Sequence, residues 1–435
     1  MKFRNLNNAC TLVESSEMKL LIDPWLFGQL YHGSWSVFDT YIHSNQSVID
    51  HITHVFISHI HQDHWDIDTL NKINKDSIVL IPKYGFNNVI KNRVESLGFS
   101  DVQMIEVGRW FNIATNIEGY IIPPLNGMAQ DIDWYEKKGQ ERPIAIDTGL
   151  IIKDSDSQTC HIILGDNTPY DITTLKEHLP NTKINTLWFP YNGFAQDYPL
   201  CYDDLSVSEK QKISLNMSLK REQSVVEAIK LIEPQYLIPH SSDFILNGKR
   251  KDEFLLVHDN EFLDKNKYAE RIEKITDIPS YALFAKDYIQ FKNDQVDILI
   301  DDDIKNTPNV AIDSITLSEY SNNQHIFELL DVALKNMVLR CERLNIPIDK
   351  FQDWQLKFIL DNDTYFINFE EQIVANHGDN NKKTLTLITN KNVLCGILNR
   401  ELHINNCQIG CFLTWNRQPN EFNKWLYNAL NFLHL

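Results

Sequence analysis

The feature that most constrains this chain is the stretch HVFISHIHQDHWD, which covers residues 54–66. An apolar run typical of a buried strand leads directly into the pattern His-x-His-x-Asp-His. The pattern consists of His59, His61, Asp63 and His64. With 15 histidines in 435 residues, chance would produce this pattern in only about one such chain per thousand. The pattern therefore calls for a chemical explanation.

Imidazole and carboxylate side chains at this spacing indicate a metal site. A loop that leaves a strand sharply can fold all four donors back around one point. Neutral imidazole binds zinc and iron well, and a carboxylate adds a harder ligand with compensating charge. Two imidazoles can hold one ion while the carboxylate and the third imidazole hold another. The motif predicts one or two divalent ions, either zinc or iron, and manganese also fits these ligands.

A motif of this kind needs further ligands, and two later strand ends supply candidates. Asp166 follows the apolar strand CHIILGD, where its carboxylate could bridge two ions or could instead cap a helix. His240 ends the apolar run YLIPH. We predict that both residues join the motif as metal ligands. Asp63 is in addition the predicted catalytic residue, because it could orient or deprotonate a water molecule.

Composition and charge exclude several classes of protein. The hydrophobic content of 43% and the charged content of 23% are ordinary for a globular protein. A net charge of −18 argues against a broad nucleic-acid surface, which needs clustered cations. No apolar run is long enough for a transmembrane segment, and the first residues lack the apolar core of a secretory signal. We therefore expect a cytoplasmic protein that acts on a small-molecule substrate.

The pattern of strands and helices predicts an α/β protein with two domains. Short strands interspersed with helices indicate a layered arrangement over residues 1–290, which form the predicted metal-binding catalytic domain. After a charged segment the pattern changes, and residues 310–435 form a smaller predicted α/β domain that begins with the amphipathic helix IFELLDVALKNMVLRCERL. This second domain could cap the site or form a homodimer interface.

The motif and its surroundings resemble the metallo-β-lactamase fold over roughly residues 8–250. The resemblance implies an αββα sandwich, with Asp166 as the bridging aspartate and His240 as the final histidine ligand. The segment LLIDPW also fits, and it places Asp23 where many members carry an aspartate that supports the metal loop by hydrogen bonding. Such outer residues orient metal ligands.

A narrower resemblance points to the CMP-N-acetylneuraminate hydroxylases. The segments that look similar to this group extend into the predicted second domain, and they are DPWLFGQLYHGSW, FISHIHQDHWDIDTL, GRWFNIATNIEGYIIPPLNGM, WFPYNGFAQDYP and ILNRELHINNCQIGCFLTWNRQPNEF. The resemblance implies an iron oxygenase. Those hydroxylases carry a Rieske iron–sulfur domain, whose paired Cys-x-His and Cys-x-x-His ligands are missing from this sequence.

The chain also departs from the metallo-β-lactamase pattern at the third histidine. That histidine should follow the strand GYIIPP, but the sequence there reads LNGMAQDIDW. His161 is a poor replacement, because it lies inside a strand and not at its end. Four side chains of this segment are possible replacement ligands: Asn126, Gln130, Asp131 and Asp133.

Three functions remain open at this point. We favour a metal-dependent hydrolase in which activated water attacks an ester, amide or phosphoester of a small anionic or sugar-type metabolite. The first alternative is an iron-dependent oxygenase that receives electrons from a separate electron-transfer protein. The second is a non-catalytic binding protein with a degenerate site. Tyr191 and Asn192 begin an aromatic segment, YNGFAQDYP, that either stacks on a substrate ring or is purely structural.

Overall fold

The structure is a computed structural model that describes residues 1–84, 87–125, 146–191, 197–292, 295–301, 325–361 and 363–435. Within these ranges the strands, in chain order, are β1 (Lys2–Asn7), β2 (Cys10–Glu14), β3 (Lys19–Ile22), β4 (Gln29–Leu30), β5 (Trp35–Val37), β6 (His54–Phe56), β7 (Ile78–Pro82), β8 (Asp101–Ile105), β9 (Trp110–Ala114), β10 (Ile117–Ile122), β11 (Gly149–Asp154), β12 (Thr159–Ile163), β13 (Thr186–Pro190), β14 (Tyr236–His240), β15 (Phe244–Leu246), β16 (Tyr288–Lys292), β17 (Gln295–Leu299), β18 (Trp354–Leu360), β19 (Asp363–Asn368), β20 (Ile373–Ala375), β21 (Lys383–Thr389) and β22 (Thr414–Gln418).

The α-helices in the same ranges are Tyr41–Ser44, Ile67–Lys72, Asn87–Ser96, Ile172–Glu177, Asp197–Leu200, Val207–Ile232, Lys251–Val257, Asn260–Leu263, Lys265–Thr276, Ile326–Arg343, Lys391–Leu398, Ile404–Ile409 and Lys424–Leu430. Short 3₁₀ helices span Gln46–Ile49, Gln62–His64 and Ile348–Lys350. No helix among the described residues combines the length and the apolar character needed to cross a membrane.

Two sheets pack face to face and form the centre of the molecule. The larger sheet has the strand order β17-β16-β1-β2-β3-β6-β7-β8, and the smaller one has the order β14-β13-β12-β11-β10-β9. Their facing sides share one apolar core, to which Phe3, Leu20 and Phe56 contribute from the larger sheet and Ile152 and Trp188 from the smaller. Interdigitation of buried apolar side chains is what holds two stacked sheets together.

Helices cover the outer face of each sheet. Leu70 and Ile90 from the helices Ile67–Lys72 and Asn87–Ser96 share a buried cluster with Leu21 and Val79 of the larger sheet. The outer face of the smaller sheet packs in the same way against the helices Ile172–Glu177 and Val207–Ile232. The predicted α/β class and αββα sandwich are therefore confirmed.

The strand directions bring the functional segments to one edge of the sandwich. β3, β6 and β7 run parallel to one another, and so do β12, β13 and β14. The carboxyl ends of neighbouring parallel strands meet at the same edge of a sheet. Asp23 and Ser58 follow β3 and β6 closely, whereas Asp166 follows β12 and His240 ends β14. The predicted site is therefore assembled from both sheets.

The C-terminal residues form a separate five-stranded sheet with the order β20-β19-β18-β21-β22. This C-terminal part contacts the loops of the N-terminal part through specific hydrogen bonds. Ser34 Oγ, between β4 and β5, donates to Gly410 O (2.7 Å), and Arg250 Nη2, just before the helix Lys251–Val257, donates to Thr414 Oγ1 (3.0 Å). The expected boundary lies between residues 290 and 310, and residues 293–294 and 302–324 lie outside the described residues. The division into domains 1–290 and 310–435 thus stays a prediction, as does a homodimer.

Replacement of His161 tests whether this histidine is structural. Its side chain is fully buried, and its Nδ1 lies 2.8 Å from Thr186 Oγ1. The centroid of its ring lies 4.2 Å from that of Phe3 and 4.8 Å from that of Phe291. We expect His161→Ala to lower the free energy of unfolding by about 2–4 kcal/mol because it leaves a cavity. Urea denaturation measures this loss. Metal content, measured in parallel, should stay unchanged, and a fall in it would contradict the structural role.

A second histidine makes stability depend on pH. Burial lowers the pKa of His258 from 6.5 to about 3, and Ser214 Oγ lies 2.6 Å from its Nδ1. Between these two pKa values the unfolded chain binds a proton that the folded chain does not, so the free energy of unfolding falls as pH drops below 6.5.

We expect His258→Gln to remove this dependence. From pH 7 to pH 5 the unmodified protein should lose about 2 kcal/mol more stability than the variant, since one pKa unit corresponds to about 1.4 kcal/mol. Urea denaturation of both metal-free proteins at the two pH values measures the difference. Equal losses in the two proteins would show that His258 is not responsible.

Candidate metal centre

The motif loop is held by a buried carboxylate. Asp23 follows β3 and is only 1% exposed. Its Oδ1 accepts a hydrogen bond from Ser58 N (2.7 Å), and its Oδ2 accepts one from Ser58 Oγ (2.9 Å). The same Oδ2 lies 2.9 Å from His64 Nδ1, so the other ring nitrogen of His64 faces the site. This is the supporting arrangement expected for Asp23.

His59, His61 and Asp147 form the first group of potential ligand atoms. His59 Nε2 lies 2.8 Å from His61 Nδ1 and 3.1 Å from Asp147 Oδ1. The ligand atoms of this first group all lie within 4.8 Å of one another, as a metal site requires. His59 is fully buried, and its Nδ1 lies 2.9 Å from Ser58 Oγ, which fixes the ring orientation. Two histidines and one carboxylate thus converge.

The sequence prediction missed Asp147. Thr148 Oγ1 donates to Ser58 O (2.9 Å) and thereby ties this segment to the end of β6. β10 and β11 are antiparallel, and Ile122 pairs with Gly149. Because β11 begins at the edge where β10 ends, a residue just before β11 reaches the same place as one just after β10. The antiparallel relation of these two strands was the signal that could have found it.

The sequence suggested four replacement ligands for the missing third histidine. Asn126, Gln130, Asp131 and Asp133 all lie outside the described residues, so their proposed roles stay predictions. Asp147 lies inside the described residues and is the carboxylate that approaches the two histidines. His161, the residue judged a poor replacement, lies in the sandwich core between aromatic rings.

The second group of potential ligand atoms comprises His59, His64 and Asp166, whose ligand atoms also lie within 4.8 Å of one another. His64 Nε2 lies 3.1 Å from Asp166 Oδ2 and 3.3 Å from Asp63 Oδ2. Asp166 does not cap the following helix, because Asp171 is the N-cap of Ile172–Glu177. The carboxylate of Asp166 is therefore available to the site.

Protein donors hold the carboxylate of Asp63 on both sides. Tyr31 OH donates to Asp63 Oδ1 (2.6 Å), and Asn8 Nδ2 donates to Asp63 Oδ2 (2.9 Å). Burial raises the pKa of Asp63, but the charges of His64 and His61 and the hydrogen bonds with His64 and Tyr31 outweigh burial and hold the pKa well below its usual range. Asp63 is therefore ionised and fixed in orientation.

His240 lies at the margin of the site and belongs to neither group. It is fully buried, and its Nε2 accepts a hydrogen bond from Gly165 N (3.2 Å), directly beside Asp166. Its Nδ1 is buried and has no hydrogen-bond partner. Burial, with the nearby charges of Lys265 and His64, lowers the pKa of His240 to about 3. The imidazole is therefore neutral, the form in which histidine binds metals.

Tyr191 is a core residue in this structure. It is 4% exposed, its hydroxyl donates to Asp243 Oδ1 (2.8 Å), and its ring lies 5.7 Å from that of Tyr268. Of the two roles that the sequence left open for Tyr191, this placement directly after β13 matches the structural one, and stacking on a substrate ring stays a prediction. Asn192 lies outside the described residues.

The electrostatics of the site fit a cation. The carboxylates of Asp23, Asp63 and Asp166 surround His64, which is fully buried. Burial lowers the pKa of His64, but these carboxylates outweigh burial and raise the pKa well above its usual value. The clustered carboxylates thus stabilise a positive charge at this point. Their oxygens and the imidazole nitrogens are ligands for divalent metals. The residues present can hold a divalent ion.

Comparisons with known proteins give partial matches. No protein-family model matches the chain. A protein of Mycobacterium tuberculosis named "Putative Rieske 2Fe-2S iron-sulfur protein" is 25% identical over 204 residues, which are 47% of this chain and 36% of that protein. A "UPF0173 metal-dependent hydrolase" of Alkaliphilus metalliredigens is 31% identical over 93 residues, which are 21% of this chain and 36% of that protein. The chain thus spans about a third of the length of these curated relatives.

Two solved structures are also similar in part. A "possible metal-dependent hydrolase" from Veillonella parvula has a TM-score of 0.44 and 14% identity, and the match covers 69% of this chain and 99% of that protein. CmlA, a diiron β-hydroxylase from Streptomyces venezuelae, has a TM-score of 0.44 and 15% identity, with 68% of this chain and 54% of that protein covered. Independently of these matches, the facing sheets, their outer helices and the motif at the strand ends form a metallo-β-lactamase-like αββα sandwich.

Proposed function

We propose that the protein is a metal-dependent hydrolase. The observation that carries the proposal is the convergence of two ligand groups that share His59, each with its ligand atoms within 4.8 Å of one another. His59, His61 and Asp147 would hold one ion, and His64, Asp166 and Asp63 would hold another beside it. His240 would complete the second set through the nitrogen that now faces Gly165.

The chemistry that such ions supply when bound is Lewis acidity, which makes water a nucleophile near neutral pH and polarises a carbonyl or phosphoryl oxygen. The protein's own residues keep the ligands in place. Ser58 Oγ lies 2.9 Å from His59 Nδ1, and Asp23 lies 2.9 Å from His64 Nδ1. Each partner leaves the Nε2 of its histidine directed at the site, so little reorganisation is needed during the reaction.

The geometry favours the role of metal ligand for Asp63 over the role of general base. Both of its oxygens already accept hydrogen bonds from Tyr31 and Asn8, and the residue is 4% exposed. A general base needs a pKa near the working pH, whereas that of Asp63 lies well below its usual range, because the charge of His64 outweighs burial. Asp63 would therefore orient a water molecule through position and charge.

Substrate would approach from the side of Asp166. The side chain of Asp166 is 34% exposed, whereas those of His64 and Asp63 are 0% and 6% exposed. Four residues further on, Tyr170 is 39% exposed. An exposed aromatic ring suits stacking on a sugar or a base. This arrangement supports an ester, amide or phosphoester of a small anionic or sugar-type metabolite as the substrate class.

Two observations favour a second candidate, an iron-dependent oxygenase. The first group contains two histidines and one carboxylate, a set that also binds iron in oxygenases. The similarity to a protein named for a Rieske iron–sulfur centre covers 47% of this chain. In this candidate function a separate electron-transfer protein would supply the electrons. A non-catalytic binding protein is the third candidate, and it would retain no metal.

Elemental analysis of protein purified without added metal distinguishes these candidates. Zinc or manganese in a colourless sample is the result expected for the hydrolase. Iron with visible absorption bands would instead favour the oxygenase and call for a search for its electron donor. No metal, even after reconstitution with zinc and with iron, would leave only the binding protein.

His61→Ala and Asp166→Ala should each abolish activity together with retention of the ion that the residue would bind, because each removes one ligand from a different group. Activity can be followed with a panel of chromogenic esters and phosphoesters, and metal content by elemental analysis. The stability control is His161→Ala, which should keep its metal. Normal metal content in both ligand variants would show that the assigned ligands are incorrect.

Asp147→Ala tests the ligand that the sequence prediction missed. We expect zinc affinity in the first group to fall by more than the roughly 10–100-fold typical of changes outside the ligand shell. A zinc titration in competition with a chromophoric chelator measures this change. The matched control is Asp156→Ala, because Asp156 lies in the turn after β11 and its carboxylate only accepts hydrogen bonds from Asn116 Nδ2. Equal zinc affinities in the two variants would exclude Asp147 as a ligand.

A further inference from the structure

Asn8 occupies the turn between β1 and β2, beneath the motif loop. It is 2% exposed, and its backbone has a φ of +47°, in the left-handed region. Among residues with a side chain, asparagine is one of the few that adopt this conformation readily. The turn therefore directs a buried amide group into the molecule.

The amide of Asn8 bonds two separate segments at once. Its Nδ2 donates to Asp63 Oδ2 (2.9 Å) in the motif loop. Its Oδ1 accepts a short hydrogen bond from Ser242 N, and its backbone oxygen accepts one from Ser241 N (3.2 Å). Donor and acceptor of a single side chain thus connect the motif loop to the residues that follow His240.

The segment after His240 needs such a connection. Ser241 and Ser242 have φ values of +58° and +116°, which are unfavourable for side chains with a Cβ. Consecutive residues in this region persist only where surrounding contacts fix them. Asn8 accepts a hydrogen bond from the backbone N–H of each serine, through its Oδ1 for Ser242 and through its backbone oxygen for Ser241. It therefore sets the position at which the chain leaves His240.

On its other side, Asp63 accepts a hydrogen bond from Tyr31 OH (2.6 Å). Held between Tyr31 and Asn8, the carboxylate keeps Oδ2 3.3 Å from His64 Nε2. By contrast, within the described part of the chain the hydrogen bonds of Asn8 go to Asp63, Ser241 and Ser242, and not to His59, His61 or Asp147. The influence of Asn8 therefore falls on Asp63, and through it on the second ion, which His64, Asp166 and Asp63 would hold.

We propose that Asn8 is a positioning residue that joins Asp63 to the His240 loop and thereby sets the metal affinity of the second group. This inference rests on the proposed function, because it requires that the second group binds an ion. The role is one of orientation, since Asn8 acts through Asp63 and through the backbone after His240. Residues of this kind typically change metal affinity by about 10–100-fold.

The test compares Asn8→Gly with Asn7→Gly. Glycine at position 8 removes the amide and keeps the left-handed backbone without strain. Asn7 is the matched control, because it is also buried and its side chain also bonds two backbone groups, Trp25 O and Phe38 N, away from the two ligand groups. Zinc alone is titrated into each metal-free full-length protein in competition with a chromophoric chelator, and circular dichroism monitors folding.

We expect Asn8→Gly to weaken the second zinc by about 10–100-fold and to leave the first zinc as in the unmodified protein. Asn7→Gly should match the unmodified protein at both. If Asn8→Gly does not fold, Asn8→Ser is titrated instead, because its shorter side chain cannot reach both partners. Unchanged affinity of the second zinc, equal losses at both zinc ions, or failure of both Asn8 variants to fold would overturn the inference.

Zinc titration of the unmodified protein distinguishes a wrong role for Asn8 from failure of the proposed function. If it binds neither zinc nor manganese, the hydrolase proposal fails first, and the inference about Asn8 fails with it because there is no second ion to influence. If it binds two zinc ions that do not respond to Asn8→Gly, the hydrolase proposal stands and only the role of Asn8 is wrong.

Discussion

The site depends on one buried carboxylate. Asp23 receives two hydrogen bonds from Ser58 and lies beside His64 Nδ1. These contacts fix where the chain turns after β6, and hence where every donor of the motif loop points. The backbone of Asp23 has a φ of +46° and its N–H donates to Phe56 O (2.8 Å), which binds β3 to β6 at this edge.

The features that sequence predicted best are those set by neighbouring residues. The motif lies on a loop of six residues, and an apolar strand precedes it, so its geometry follows from local structure. Asp147 shows where such reasoning stops. Its approach to His59 depends on the antiparallel pairing of β10 with β11 and on the hydrogen bond from Thr148 to Ser58 O. The sequence prediction considered only the residues directly after the strand GYIIPP. It missed Asp147, because the strand that pairs with GYIIPP begins much later in the chain.

Contacts between distant residues explain the other differences. Asn8 and Ser242 are 234 positions apart, and no periodic pattern marks either one. The sequence left open whether Tyr191 stacks on a substrate or is structural, because the buried acceptor for its hydroxyl, Asp243, lies 52 positions away in the chain. The layers of the fold were easier to predict, since strands buried on both faces have continuous apolar runs and the helices above them are amphipathic.

The contact between the N-terminal sheets and the C-terminal sheet has a practical consequence. Ser34, three residues after Tyr31, donates to Gly410 O, and Arg250 donates to Thr414. One continuous apolar cluster contains side chains from both parts of the chain. A fragment that stops before β18 would leave these donors without acceptors and would expose part of that cluster to water. Such a fragment would therefore expose an apolar surface near Tyr31, whose hydroxyl donates to Asp63. Poor solubility would limit the use of the fragment before any loss of activity did.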